Sequence, residues 1–163
     1  MPNENLLEGK KILIVDDERD VLETLEDSLP MCELAKANSF EEAQQMLNSQ
    51  AFDLVILDIM GVEGYKLLEI AHEKKLTAVM LTAHALSPED TKKSHEKGAA
   101  YYLPKEEMIN ITKHLTDVLA TQKEGKNTWF SWLDKFASFY DKKFGPDWRN
   151  NDKAFWDKFK YYY

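Results

Sequence analysis

Five polar residues directly follow or end four short apolar runs, and they are of the types that bind a cation and a phosphoryl group. They are Asp16 and Asp17 after the first run, then Asp58, Thr82 and Lys105. Three neighbouring carboxylates repel one another, and a hard cation such as Mg²⁺ relieves that repulsion. A carboxylate beside the cation can attack phosphorus, while an ammonium and a hydroxyl bind the phosphoryl oxygens. The residue types therefore predict phosphoryl chemistry with Mg²⁺ as cofactor.

The apolar runs before these residues have the character of buried parallel strands. Each is continuously apolar, as strands covered on both faces are, and helical patterns separate them. Ser39 with Glu42 predicts a helix start, and Pro88 and Gly98 predict the two ends of another helix. Strand and helix alternate five times, which predicts a doubly wound α/β fold with a five-stranded parallel sheet. In such sheets ligands bind beyond the carboxyl ends of the strands, where the five polar residues would meet.

The spacing of the runs sets the expected positions of the strands. They should begin near Lys11, Glu33, Asp53, Thr77 and Ala99. The second run, residues 34–37, is the least apolar and carries no site residue, which indicates an edge strand. His72, His95 and His114 fall on separate helices without metal spacing, and they are interpreted as solvated helix residues.

Four segments carry a family resemblance. KILIVDDE, LVILD, VMLTAH and AAYYLPKE resemble the motifs of response-regulator receiver domains, the phosphoacceptor modules of two-component signalling. The resemblance covers about residues 10–123, and it implies the flavodoxin-like strand order 2-1-3-4-5. It also implies a role for each matched residue: phosphoacceptor Asp58, Mg²⁺ ligands Asp16, Asp17, Asp58 and the backbone carbonyl of Met60, switch residues Thr82 and Tyr102, and phosphate-contacting Lys105.

Three features depart from the family pattern. The loop after Asp58 reaches its glycine, Gly64, after six residues, where the family usually needs eight. Glu106 stands where many members have proline. Met60 and His84 occupy the positions that flank the hydrolytic water, and Met60 cannot orient water. The hypothesis that follows is a phosphoryl lifetime set mainly by His84.

The last 36 residues differ sharply in composition from the rest. Residues 128–163 hold all four tryptophans and 14 of the 19 aromatic residues, with a net charge of +2 that leaves −10 for the preceding part. A receiver domain at 1–123 and an aromatic helical tail at 124–163 are therefore predicted. Asn127 or Thr128 can cap a helix over 129–144, which Gly145 ends, and a second helix from Asn151 or Asp152 would complete a helical hairpin.

One side of the first tail helix is almost entirely apolar. It carries Trp129, Trp132, Leu133, Phe136, Phe139, Tyr140 and Phe144, and the second helix would add Phe155, Trp156, Phe159, Tyr162 and Tyr163. Such a stripe is a contact surface. Packing on the receiver itself or on a second copy in a homodimer is favoured, and docking of a separate partner comes next. A membrane surface is disfavoured because the polar side mixes acids and bases.

Bulk composition limits the other classes of function. The 163 residues carry a net charge of −8, which argues against nucleic-acid binding, and no basic recognition helix is visible. A single cysteine, Cys32, excludes an intramolecular disulfide and fits a cytoplasmic location. The N-terminus lacks the apolar core of a secretory signal, and no apolar run is long enough to span a bilayer.

These observations together predict a signalling protein and not an enzyme. A sensor histidine kinase or phosphotransfer protein would donate a phosphoryl group to Asp58, Thr82 and then Tyr102 would move inward, and a protein partner or dimer would read the change. A further hypothesis is that the tail gates this output. Two alternatives remain: a receiver-fold scaffold that is not phosphorylated, and an aspartyl phosphatase. The second usually needs an acid/base Asp two residues after the nucleophile, where this chain has Met60.

Overall fold

The computed structural model describes residues 6–83, 87–148, 152, 155 and 156, with the backbone alone at 130, 131, 134, 139 and 143. Its strands are β1 Lys11–Val15, β2 Glu33–Ala37, β3 Leu54–Asp58, β4 Thr77–Thr82 and β5 Tyr101–Pro104. Its helices are α1 Arg19–Ser28, α2 Phe40–Ser49, α3 Gly64–Glu73, α4 Pro88–Glu96, α5 Ile111–Lys123 and α6 Thr128–Phe144. A 3₁₀ turn, Lys105–Asn110, lies between β5 and α5; it is called the Lys105 turn below.

All five strands are parallel and lie in the order β2-β1-β3-β4-β5. The predicted α/β fold with strand order 2-1-3-4-5 is therefore confirmed. The strands β1, β3 and β4 are almost completely buried, because helices cover both faces of the sheet, whereas β2 is partly exposed at the edge. The weak apolar character of the second run correctly indicated this edge position.

The helix ends follow the local signals in the sequence. The Ser39 hydroxyl accepts a hydrogen bond from the backbone N–H of Glu42 at the start of α2. Ser87 does the same for Asp90 at the start of α4, with proline at the next position. Gly98 follows α4 with φ +97°, a conformation that favours glycine. The turn at Gly98 leads from α4 into β5.

Helix α6 packs on the body of its own chain, one of the arrangements that the sequence left open. The Trp129 and Trp132 indole N–H groups donate to the carbonyls of Ala99 and Tyr102, both at 2.8 Å. The Thr128 hydroxyl donates to the Ala100 carbonyl at 2.6 Å. Side-chain donors of α6 thus bind backbone acceptors of β5 and the residues before it, and they tie the helix to the outer strand of the sheet.

The same helix covers α4. Helix α4 has only Thr91 and Ser94 as buried residues, so it has almost no apolar surface of its own. Thr91 hydrogen-bonds the hydroxyl of Tyr140, and the His95 ring meets Trp129 edge-on at 5.2 Å between centroids. His95 is therefore half-buried against the tail, and its interpretation as a solvated residue is wrong.

The predicted apolar side of α6 is largely the buried side. Its described members Trp129, Trp132, Leu133, Phe136 and Tyr140 are buried. Phe144, in the last turn before Gly145, is the exception at 38% exposed. The second helix of the predicted hairpin lies mostly outside the described residues, where only Asp152, Phe155 and Trp156 are placed.

Candidate functional site

The strand register brings the predicted site residues to one edge of the sheet. Val15 pairs with Leu57, so Asp16 and Asp58 leave neighbouring strands side by side. Asp58 pairs with Leu81 and Thr82 with Pro104, which brings Thr82 and Lys105 to the same end. Parallel strands share one direction, so residues that end their strands must meet at the carboxyl edge.

Lys105 is the electrostatic centre of this edge. Its Nζ lies 2.8 Å from Asp16 Oδ2, 3.4 Å from Asp58 Oδ1 and 3.3 Å from Glu18 Oε1. Asp16 and Asp58 are buried, whereas Glu18 is exposed. The backbone N–H of Glu18 also donates to Asp16 Oδ1 at 2.8 Å, which holds that carboxylate in place. One ammonium therefore compensates part of the charge of three carboxylates.

The remaining negative charge changes the pKa values of the site. Burial first, and the charge of Asp16 second, raise the pKa of Asp58 to about 7, although Lys105 acts to lower it. Burial also raises the pKa of Asp16 against the lowering effect of Lys105. Burial acts to lower the pKa of Lys105, but its contacts with Asp16, Asp58 and Glu18 together raise it. The site thus has more negative charge than its own cation can balance.

The carboxylates of this edge fit a hard cation. Ligand oxygens of Asp16, Asp17 and Glu18 lie within 4.8 Å of one another, with Asp16 buried and the other two exposed. Oxygen donors of this kind, with open positions left for water or phosphate, suit Mg²⁺. The pKa of Asp58 is raised first by burial and second by the charge of Asp16, and a bound cation would oppose both effects.

The short loop after Asp58 is shaped by two glycines. Gly61 has φ +79°, and a Cβ atom built on it would lie 2.5 Å from Asp17 Oδ2. A Cβ on Gly64 would overlap the backbone carbonyl of Asp58. The Met60 carbonyl accepts the N–H of Val62 at 2.9 Å, which leaves one of its lone pairs for a cation. The loop therefore passes close to both Asp17 and Asp58 although it is short.

Thr82 and Tyr102 are both buried, and they differ in what surrounds them. Thr82 stands at the carboxyl edge itself, at the end of β4. Tyr102 lies in β5 beneath α6 and is fully buried. Its backbone carbonyl accepts a hydrogen bond from the Trp132 indole N–H. The Tyr102 ring is thus in an inward position in this structure, and its role as a switch residue stays a prediction.

Two groups at or near the edge were not assigned a role from the sequence. Glu18 contacts Lys105, and the only sequence signal is its place directly after Asp16 and Asp17. His114 is 6% exposed and bonded on both ring nitrogens, so its interpretation as a solvated residue is wrong. The α6 ring that covers it, Phe136, is 22 residues away in the chain, beyond the reach of a local pattern. His84 lies outside the described residues.

Comparison with known proteins identifies relatives of this fold and site. The profile of the response regulator receiver domain matches residues 12–116. The two-component response regulator ARR12 of Arabidopsis thaliana is 35% identical over an alignment of 130 residues that covers 73% of this chain and 22% of that protein. The transcriptional activator protein PfeR of Pseudomonas aeruginosa is 39% identical over 72 residues, or 43% of this chain and 24% of that protein. The chain thus spans about a fifth to a quarter of the length of these relatives.

Solved structures share the architecture. A CheY-like receiver domain protein from Methanospirillum hungatei has a TM-score of 0.59 and 27% identity, covering 70% of this chain and 98% of its own. The signal receiver domain of an HD domain-containing protein from Pseudomonas fluorescens has a TM-score of 0.63 and 26% identity, covering 71% and 98%. The similarity covers the sheet and its helices.

Proposed function

Because the chain belongs to the response regulator receiver domain family, we propose that it accepts a phosphoryl group on Asp58 from a sensor histidine kinase or a phosphotransfer protein. The observation that carries this proposal is the contact of one lysine, Lys105, with both Asp16 and Asp58 at the carboxyl edge. In this proposal the protein acts in signalling and not as an enzyme, and its location is cytoplasmic. Among the described residues, no helix combines the length and the apolar character needed to cross a bilayer.

The chemistry proposed is attack by an Asp58 carboxylate oxygen on the phosphorus of a phosphohistidine. The new P–O bond forms as the P–N bond breaks, and the donor imidazole keeps the electron pair and takes up a proton. Lys105 Nζ, 3.4 Å from Asp58 Oδ1, would neutralise the phosphoryl oxygens. The hydroxyl of Thr82 would donate a hydrogen bond to one of them.

Mg²⁺ would be held by Asp16, Asp17, Asp58 and the carbonyl of Met60, and when bound it offsets the charge that gathers between carboxylates and phosphoryl oxygens. Asp58 must be ionised to attack phosphorus. Burial and the charge of Asp16 raise the pKa of Asp58 to about 7 in the metal-free site, so protonation competes with nucleophilic attack near neutral pH. Positive charge brought to this edge lowers that pKa and increases the nucleophilic form.

We also propose that α6 serves the receiver as a cover bound in cis. Four aromatic side chains of α6 are buried: Trp129, Trp132, Phe136 and Tyr140. Their burial contributes on the order of 10 kcal/mol before the entropy cost of ordering the helix, whereas coupling between two sites typically supplies about 1–3 kcal/mol. In this proposal phosphorylation leaves α6 in place, and a partner protein would read the smaller changes around Thr82.

The experiment that tests the proposal is phosphorylation of the full chain with acetyl phosphate and Mg²⁺, followed by intact-mass measurement. The expected result is the mass of one phosphoryl group on the wild type and none on Asp58→Asn, with less labelling when a chelator removes the metal. An unlabelled wild type would favour the phosphorylation-independent scaffold. Equal labelling of the two proteins would place the acceptor elsewhere.

The aspartyl phosphatase alternative has little support at this edge. Such enzymes need an acid/base group two residues after the nucleophile, and that position is Met60, an apolar side chain that is 61% exposed. Release of phosphate from small phosphomonoesters would be the result that revives this alternative.

A further inference from the structure

The Lys105 turn has only a weak hydrophobic anchor. None of its residues is fully buried: Met108 is partly buried against the core, and Ile109 is 85% exposed. An element of this kind depends strongly on its hydrogen bonds and ion pairs, because burial supplies only part of what holds it. Its first residue is the lysine proposed to bind the phosphoryl group. The polar contacts of the turn therefore help to determine where the Lys105 ammonium lies.

One polar contact fastens the turn to α5. Oε1 of Glu107, two residues after Lys105, lies 3.2 Å from Nε2 of His114. The hydroxyl of Tyr101 in β5 lies 3.1 Å from Nδ1 of the same ring. Phe136 of α6 stacks on the imidazole, with 5.8 Å between the centroids and 21° between the planes. His114 thus joins the turn, the last strand, α5 and the tail.

The partners of His114 determine its tautomer. An ionised Glu107 only accepts hydrogen bonds, so Nε2 carries the proton and Nδ1 accepts from the Tyr101 hydroxyl. Burial lowers the pKa of His114 most strongly, the Glu107 contact raises it, and the charge of Lys135 lowers it again. Asp117, on α5 itself, acts to raise it. The net lowering of the pKa keeps the ring neutral at neutral pH, with one donor and one acceptor already matched.

We propose that His114 is a positioning residue for phosphoryl transfer to Asp58, because its bond to Glu107 holds the turn that delivers Lys105 to the carboxyl edge. The inference rests on the proposed function of Asp58 and Lys105. It adds that the reactivity of this edge depends on a buried contact outside it. A displacement of about 1 Å in a group that must meet the reacting atoms costs up to two orders of magnitude in rate, so a small movement of the turn is enough to be measured.

Two amide substitutions separate the two bonds of His114. In His114→Gln the amide nitrogen reaches the place of Nε2 and can still donate to Glu107. In His114→Asn the shorter amide reaches only the place of Nδ1, near Tyr101, and the bond to Glu107 is lost. Both variants lose the stacking on Phe136, so they are matched in that respect. Tyr101→Phe removes the other bond alone and leaves the imidazole in place.

The test measures the rate of Asp58 phosphorylation by acetyl phosphate in the full chain, beside its urea unfolding. We expect His114→Asn to be slower by about five- to tenfold, the effect of one hydrogen bond, and His114→Gln and Tyr101→Phe to stay within about twofold of the wild type. Mg²⁺ affinity, measured by calorimetry, should be equal in His114→Gln, Tyr101→Phe and the wild type. It should not be weaker in His114→Asn, because an ammonium that moves away from Asp16 and Asp58 leaves their negative charge to the cation. Equal rates in the two amide variants would overturn the inference.

Crystal structures of the two amide variants give a second measurement that does not depend on phosphorylation. Lys105 should keep its contacts with Asp16 and Asp58 in His114→Gln and lose at least one of them in His114→Asn. An unmoved lysine in both variants would overturn the positioning role even where Asp58 is labelled normally. A wild type that is never labelled, with the lysine displaced only in His114→Asn, would instead contradict the proposed function and support the positioning.

Discussion

The two ends of β5 show opposite ways of using buried groups. Beyond its carboxyl end, Lys105 lies among carboxylates, and burial first and the charge of Asp16 second raise the pKa of Asp58 to about 7. Along the strand and before it, the carbonyls of Ala99 and Tyr102 accept bonds from two buried indoles of α6. The first region buries charge that it cannot fully pair, and the second buries apolar rings whose polar atoms are paired.

The first region favours reactivity, and the second favours stability of the fold. Unpaired buried charge costs free energy of folding, but it makes the edge bind cations and phosphoryl groups. Buried aromatic rings whose polar atoms are hydrogen-bonded stabilise the fold but provide no reactive group. The buried rings of the tail therefore contribute stability, whereas the buried charge at the carboxyl edge costs stability.

Trp132→Ala should lower the free energy of unfolding by about 3–5 kcal/mol, because it leaves a cavity and an unpaired carbonyl on Tyr102. Urea unfolding of the full chain measures the change. Phe144→Ala on the same helix is the matched control, and its loss should stay below about 1.5 kcal/mol because that side chain is partly exposed. Similar losses in the two variants would show that α6 is not held by its buried rings.

Asp58→Asn should change stability in the opposite direction. The folded chain holds a proton on Asp58 up to pH about 7, whereas the unfolded chain releases it near the ordinary value of 3.8. Native stability therefore falls as pH rises from about 4 to 7, and the asparagine variant avoids that loss. Without divalent metal, the gain should be absent below pH 4 and reach about 2–4 kcal/mol at pH 8.

Urea unfolding at several pH values, with a chelator present, measures this gain. Asp27→Asn, which changes an exposed carboxylate on α1, is the matched control and should alter stability little at any pH. A gain that does not depend on pH would mean that charge at Asp58 is not the cause.

Gly61→Ala should weaken Mg²⁺ binding by about tenfold. Alanine at φ +79° is strained by about 1–2 kcal/mol, and its Cβ displaces the carboxylate of Asp17. Gly125→Ala, before α6, has the same kind of strain at φ +73° with open space around it. Calorimetric titration should show lower affinity only in the first variant, although both lose some stability. Equal Mg²⁺ affinities would show that the loop does not shape the cation site.

The smallest effect concerns the tail after activation. Beryllofluoride with Mg²⁺, as a mimic of the phosphoryl group, should leave the amide protons of α6 protected from hydrogen exchange and the oligomeric state unchanged, with larger changes around Thr82 and the start of α4. Asp58→Asn treated in the same way provides the baseline. Rapid exchange throughout α6 on activation would support the hypothesis that the tail gates the output, and it would contradict the permanent cover.

Much of the carboxyl edge was predictable because its cause is local and repeated. Each strand is a short apolar run, and a parallel sheet necessarily brings the residues that end those runs to one side. Asp16, Asp58, Thr82 and Lys105 follow from that rule alone, and the caps at Ser39 and Ser87 follow from equally local hydrogen bonds.

The environment of His114 and the exposure of Phe144 could not be read in the same way. A histidine on a mostly polar helix is expected to be solvated, but in the structure Phe136 of α6 stacks on the His114 ring. The apolar stripe of α6 predicts that Phe144 packs, yet its side chain is 38% exposed and its ring meets Tyr140 of the same helix edge-on. Both outcomes depend on where two distant segments meet.

The sequence by itself determined the sheet, its order through the family resemblance, and the residues at its carboxyl edge. Only the tertiary structure decided that α6 covers β5 and α4 of its own chain, that Tyr102 is already buried, and that His114 joins the Lys105 turn to the tail. The physical reason lies in the forces involved. Hydrogen bonding between strands is directional, so the pattern of strands in the sequence specifies which backbone segments are neighbours. The hydrophobic effect is non-directional, so an aromatic stripe predicts that it is buried but not which surface buries it.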